Sequence, residues 1–140
     1  MTSILIPTRF TDGTIQNAQL SYDEDSERCF LALLLHQTPF SAEATDYFEA
    51  LAQIRVQLER NQIQLLCYGA SRCVYPLGMG RDMGQGLRAY KLKLGQYART
   101  IDLVDIFTSE PDVEPATVYE QHACYGQWLT SIQDRAKQSQ

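Results

Sequence analysis

The sequence predicts a single α+β domain over residues 1–140: a mainly antiparallel sheet packed with two helices, in the order β-β-β-α-β-β-β-α. Three observations carry that prediction. The first third alternates short apolar stretches with strong turn signals. Two later segments, behind Ser41 and behind Thr117, keep a 3.6-residue apolar period. No repeat and no Pro- or Ser-rich linker divides the chain, and a length of 140 residues is close to the usual size of one domain.

The elements follow in order. Ile4-Leu5-Ile6 starts a short strand that Pro7 marks as broken or lying at an edge. Asp12-Gly13 is a two-residue hairpin signal, because both residues accept positive φ. Thr14 to Tyr22 alternates loosely, Asp23 to Arg28 is a polar turn, and Cys29 to His36 is an apolar run fit for a central strand. Ser41 is expected to cap a helix whose stripe is Ala44, Tyr47, Phe48, Leu51, Ile54 and Leu58, with Arg55, Glu59 and Arg60 off it and an end near Asn61. Ile63 to Tyr68, Leu87 to Leu94 and Ile101 to Phe107 read as strands. Thr117 and Glu120 fit a capping box ahead of Val118, Tyr125, Trp128, Leu129 and Ile132, and the tail Gln133 to Gln140 is expected to fray.

Composition excludes several classes. The longest apolar run, Cys29 to Leu35, has seven residues, far below the roughly 20 of a membrane-spanning helix. Met1 to Pro7 has neither the basic start nor the apolar stretch of a secretory signal, so a cytoplasmic protein is expected. Its cysteines, Cys29, Cys67, Cys73 and Cys124, are then expected to be reduced and mostly buried. They form no C-x-x-C pair and share the chain with only His36 and His122, so no metal site is expected.

The net charge of −5 hides a segregation. Arg72 to Arg99 carries six basic residues and one acid, Asp82, a local charge of +5 that leaves −10 for the rest. Ile101 to Gln133 holds Asp102, Asp105, Glu110, Asp112, Glu114 and Glu120 with no Lys or Arg. Such clustering either steers a charged partner or supplies counter-charge between neighbouring strands.

Gly69 to Gly86 holds five of the eight glycines. Gly78-Met79-Gly80-Arg81-Asp82-Met83 lacks the third glycine of a dinucleotide fingerprint, and Gly84 is not followed by the Lys-Ser/Thr of a P-loop. No cofactor is therefore expected. A long connector that crosses the sheet, or a loop shaped for a protein partner, fits better, with Tyr75, Met79, Arg81 and Met83 as its contact residues. Catalysis finds no motif: His122 and Cys124 are two apart on a helix and point apart, and Asp102 and Asp105 are three apart on an expected strand. The chain is read as a non-enzyme. The low pI of 4.9 argues against nucleic acid. The acid-only region, with Asp105, Glu110, Asp112 and Glu114, is suited to a basic cleft on a protein.

Tyr68-Gly69-Ala70, Val74 to Met79, Met83 to Leu92, Leu103 to Phe107, the Pro111-Asp112-Val113-Glu114-Pro115 loop and Gln127-Trp128-Leu129 resemble small bacterial immunity proteins that accompany secreted polymorphic toxins. The likeness spans about residues 63 to 132. It implies a cytoplasmic protein that neutralises one cognate toxin by occluding its active site or locking an inactive state. It carries no catalytic residue onto this chain. Two contact surfaces are expected, the acidic set and the Tyr75 set. The alternative is a small-ligand or regulatory domain using the Gly-rich loop 69–86.

Overall fold

A computed structural model describes residues 2–78 and 84–138. The chain is α+β, as expected, but its strands divide between two sheets. The larger sheet has the order β4-β3-β2-β1-β5, built from β1 (Thr2–Arg9), β2 (Ile15–Glu24), β3 (Cys29–Leu35), β4 (Thr38–Ala44) and β5 (Gln64–Leu65). The smaller has the order β6-β7-β8, from β6 (Val74–Tyr75), β7 (Arg88–Lys91) and β8 (Leu103–Asp105). Among the described residues the two long helices are α1 (Tyr47–Glu59) and α2 (Val118–Gln138). Among the described residues no helix is long and apolar enough to cross a membrane.

Local signals work where local bonds decide. The β1–β2 turn forms at Asp12-Gly13, although Arg9 pairs with Ile15 and the connection is therefore longer than the two residues expected. Gly13 takes φ +86° while Asp12 does not take positive φ, and the Thr14 N–H donates to Asp12 Oδ1 at 2.9 Å. Asp25 Oδ1 accepts from the N–H groups of Glu27 and Arg28, both at 2.8 Å, and closes the β2–β3 turn. Thr117 and Glu120 form the expected capping box: the Glu120 N–H donates to Thr117 Oγ1 at 3.0 Å, and Glu120 Oε1 accepts from the Thr117 N–H at 2.9 Å.

Four expectations are corrected. Ser41 does not start the helix. It lies in β4, which pairs with β3 from Leu35↔Thr38 to Cys29↔Ala44 after a tight turn in which His36 takes φ +57°. Pro39 is tolerated because β4 is an edge strand. The helix starts after Asp46, whose Oδ1 accepts from the Glu49 N–H at 2.7 Å. The expected strands Ile63–Tyr68, Leu87–Leu94 and Ile101–Phe107 are all shorter, the first and last flanked by 3-10 turns at Tyr68–Ala70 and Thr100–Asp102. The helix tail does not fray at Gln133: α2 runs to Gln138, with Arg135 donating to the Gly95 carbonyl at 2.7 Å and lying 5.0 Å over the Tyr97 ring.

The fourth correction concerns sulfur. Cys29 and Cys67 are free and buried, as expected. Cys73 and Cys124 are joined in a disulfide, with Cα atoms 5.6 Å apart across a separation of 51 residues. The pairing is set by the docking of α2 on β6, which no local pattern encodes.

The core lies between the inner face of the larger sheet and α1. Ile6, Ala18, Leu20, Leu31 and Leu33 meet Leu51, Ile54 and Leu58, all buried. Gly69 marks the closest approach. A Cβ there would lie 2.5 Å from Leu51 Cδ2 and 3.0 Å from the Ile106 carbonyl oxygen. Gly69→Ala is therefore expected to cost about 1–3 kcal/mol by overpacking. A lower urea midpoint at unchanged m-value checks it; an unchanged midpoint rejects it.

Candidate functional site

Residues 105–116 run past the turn 68–72 and are bound to it along their length. The N–H groups of Tyr68 and Gly69 donate to the carbonyls of Thr108 and Ile106, at 2.9 and 2.8 Å. The Glu114 N–H donates to Ser71 Oγ at 2.9 Å, the Arg72 N–H to the Glu114 carbonyl at 2.9 Å, and the Ala116 N–H to the Ala70 carbonyl at 3.1 Å. Backbone paired at both ends gives the loop one conformation, so its carboxylates are pre-positioned.

The structure gathers three of the four expected acids. Asp105, Glu110 and Asp112 line one open groove of about 460 Å³ with Tyr68, Val104, Thr108 and Pro111. Glu114 faces an adjoining depression of about 230 Å³ that it shares with Asp112, Lys91 and Lys93. Asp105 spends Oδ1 on the Phe107 N–H at 2.8 Å. Asp112 is the most constrained: Oδ1 accepts from the Tyr68 hydroxyl at 2.7 Å, and Oδ2 lies 3.1 Å from Lys91 Nζ. These two bonds hold its carboxyl below the usual carboxylate range. The same hydrogen bond, with burial and the neighbouring charge, pushes the Tyr68 phenol up to about 12.

The sign of the resulting pH dependence is fixed by those directions. The Asp112 contribution is present above the ordinary carboxylate pKa, about 4, and is lost as pH falls through its lowered folded value. The Tyr68 contribution is present below its ordinary value of 10 and is lost as pH rises through about 12. Tyr68→Phe is expected to cost about 0.5–1.5 kcal/mol at neutral pH and to flatten stability at both extremes. Urea midpoints across pH test this, and a parallel offset at every pH rejects the coupling.

The segregated charge is partly internal counter-charge. Arg72 pairs with Glu120 at 3.0 Å, Lys91 with Asp112 at 3.1 Å, and Arg99 with Asp102 at 3.5 Å. Arg88 stands opposite Asp105 in the β7·β8 register.

Tyr75 belongs to a different surface. Its ring stacks on Tyr125 at 4.1 Å and 9°, meets Phe48 edge-on at 5.1 Å, and places its hydroxyl 3.3 Å from His122 Nδ1. Tyr75 lines neither acidic depression. Met79, Arg81 and Met83 lie outside the described residues. Cys124 is held in the disulfide with Cys73 and carries no free thiol. Among the described residues no group of three His, Cys, Asp or Glu side chains is placed to hold a metal ion.

Two residues hold this site: Gln121, which the sequence reading passed over, and Arg55, which it placed off the apolar stripe of α1 and which the structure buries. Arg55 is only 3% exposed; its Nη1 donates to Gln121 Oε1 at 2.6 Å and to the Gly69 carbonyl at 3.0 Å, and its Nη2 to the Ala116 carbonyl at 2.9 Å. Gln121 Nε2 in turn contacts the carbonyls of Gly69, Ser71 and Val74 at 2.9–3.0 Å. The expectation that Arg55 lies off the stripe is corrected: four residues after Leu51 and three before Leu58, it falls on the buried face, and that spacing was the available signal. Compared with known families and with curated proteins, the sequence matches no family model and no curated protein.

Proposed function

We propose that this chain is an immunity-type protein, a non-enzymatic binder that neutralises a cognate bacterial toxin. Occlusion of the toxin's active site, or capture of an inactive state, is the mechanism. The observation that carries the reading is the collection of Asp105, Glu110 and Asp112 around one open groove on a loop tied to 68–72. A pre-positioned acidic rim meets a basic cleft with fast, salt-sensitive association and little ordering cost. The resemblance over residues 63 to 132 names the kind of partner. Neither nucleic acid nor a membrane is a partner in this reading. The aromatic group around Tyr75 is a second contact surface, with Met79, Arg81 and Met83 following it in sequence.

A cytoplasmic placement belongs to the same proposal. The Cys73–Cys124 disulfide weighs against it, because disulfides persist in oxidising compartments. Fractionation of the producing cell decides between them.

Coexpression with the product of the adjacent upstream gene tests the function. Protection from toxicity and a one-to-one complex are expected. Asp105→Asn combined with Glu110→Gln should slow association about tenfold at low salt and much less at high salt. A non-toxic neighbour, or toxicity without binding or protection, overturns the reading.

A further inference from the structure

The two edges of the larger sheet are not treated alike. The β4 edge carries Pro39 and Glu43 and is twinned with the Arg28–Glu43 pair, devices that discourage further pairing. The β1 edge is different. β5 covers it only at Thr8↔Leu65 and Arg9↔Gln64, with one more bond from the Leu66 N–H to the Pro7 carbonyl at 2.9 Å. In an antiparallel ladder the N–H and C=O of one residue point to the same side, and successive residues alternate. Pro7 therefore faces β5, and so do Leu5 and Ser3. Proline has no N–H to continue the ladder, and the chain turns away after Leu66 into the 3-10 turn at Tyr68–Ala70. Among the described residues, no strand pairs with this edge at Ser3 and Leu5.

The chemistry around that gap is specific. From Thr2 to Thr8 the strand has no charged residue, and Leu5 is 64% exposed. Beside it lies a groove of about 430 Å³ lined by Ile4, Leu5, Tyr22, Asp105, Phe107, Thr108 and Ser109. An added strand would send alternate side chains into this groove. Its surroundings are acidic at both ends. Thr2 pairs with Tyr22, so Asp23, Glu24, Asp25 and Glu27 continue past one end; Asp105 lines the groove itself, and Glu110 stands beside Arg9 at the other end. The cations of this region are Arg9 beside Glu110, Arg28 in the acidic turn, Arg88 opposite Asp105 and Lys91 on Asp112; against Asp23, Glu24, Asp25, Glu27, Asp105, Glu110 and Asp112 they leave it net negative.

We propose that the open β1 edge at Ser3 and Leu5 is a strand-addition site for an extended, basic segment of a protein partner. Backbone bonds to Ser3 and Leu5 supply register, the groove takes every second side chain, and the acidic ends select lysine or arginine between them. The proposal rests on the reading of the chain as a protein binder.

The test uses the isotope-labelled full chain and a blocked peptide of about eight alternating Val and Lys residues. The Ser3 and Leu5 amide signals should shift and exchange more slowly, and a Val/Glu peptide should bind at least about tenfold more weakly. Leu5→Pro removes the edge donor without touching a β1·β2 bond and should weaken the Val/Lys peptide about tenfold at unchanged thermal midpoint. Leu5→Lys, at an exposed position, should weaken it similarly by repulsion if the proline variant does not fold. No binding up to about 1 mM, shifts confined to other segments, or unaltered binding by the folded variants overturns the proposal. The peptide result is independent of coexpression: binding at the edge without protection rejects only the toxin reading, and protection without edge binding rejects only strand addition.

Discussion

Replacing Arg55 by methionine is expected to cost about 3–5 kcal/mol, the largest effect of any single substitution considered. Methionine fills much of the same volume but donates nothing. Gln121 Oε1 and the Ala116 carbonyl would lose buried donors, each at about 1–3 kcal/mol, while the Gly69 carbonyl keeps Gln121 Nε2. Burial already pulls the guanidinium below its ordinary pKa, so part of the loss is returned as relieved desolvation. Gln121→Leu alone should be similarly harmful, and the double variant Arg55→Met with Gln121→Leu should cost clearly less than the sum, because neither partner is then stranded. Urea unfolding of the four proteins measures the cycle. A loss below about 1 kcal/mol for Arg55→Met, or strict additivity, would remove the network from the account of stability. The network also holds both flanks of the acidic loop through Gly69, Ser71 and Ala116, so the variant should bind its partner less tightly even under conditions where it stays folded.

Removing the disulfide is expected to have the second largest effect. Closing a separation of 51 residues restricts the unfolded chain by about 4 kcal/mol on the chain-entropy model, and about 2–4 kcal/mol is the usual measured range. For a domain of this length that corresponds to a midpoint lower by roughly 6–16 °C. The bond matters here because α2 buries little else: only Gln121, Cys124 and Trp128 of its residues are buried. The expected local consequence is that α2 loosens from β6, disturbing the Tyr75–Tyr125 stack and the Trp128 Nε1–H bond to the Gln96 carbonyl. Cys73→Ser with Cys124→Ser should reproduce the effect of a reductant. Thiol titration of the unreduced, denatured protein should find Cys29 and Cys67 alone. In the folded protein Cys67 should resist reagent, since burial pushes its thiol up to about 11. Finding all four thiols free in protein purified without reductant would sink the disulfide.

What could be read in the sequence was whatever residues a few positions apart decide. Asp12-Gly13, the Asp25 turn and the Thr117/Glu120 box are each closed by bonds within three residues, and they form where expected. The α1 stripe of Tyr47, Phe48, Leu51, Ile54 and Leu58 is buried because helical period alone aligns it. Ser41 shows the limit. It is a good cap by type, but pairing with β3 across a two-residue turn binds the whole segment 38–44 as a strand, and Asp46 caps instead. The acidic residues were visible as a cluster, but their spacing around a groove was not. It depends on hydrogen bonds between residues 106–116 and 68–72, some 40 positions earlier.

The α+β class, the turn positions, the Thr117 cap and the inventory of charge could be read from the sequence, because those follow from backbone preferences and contacts within one or two helical turns. The tertiary structure alone decided that Arg55 is buried against Gln121, 66 residues away, that Cys73 meets Cys124, and that Asp105, Glu110 and Asp112 share a groove. It also decided that β1 keeps an open edge, since β5 pairs with only its last two residues. Each of these depends on which distant segments pack together, a choice made by burial of the core as a whole and not by the local chain.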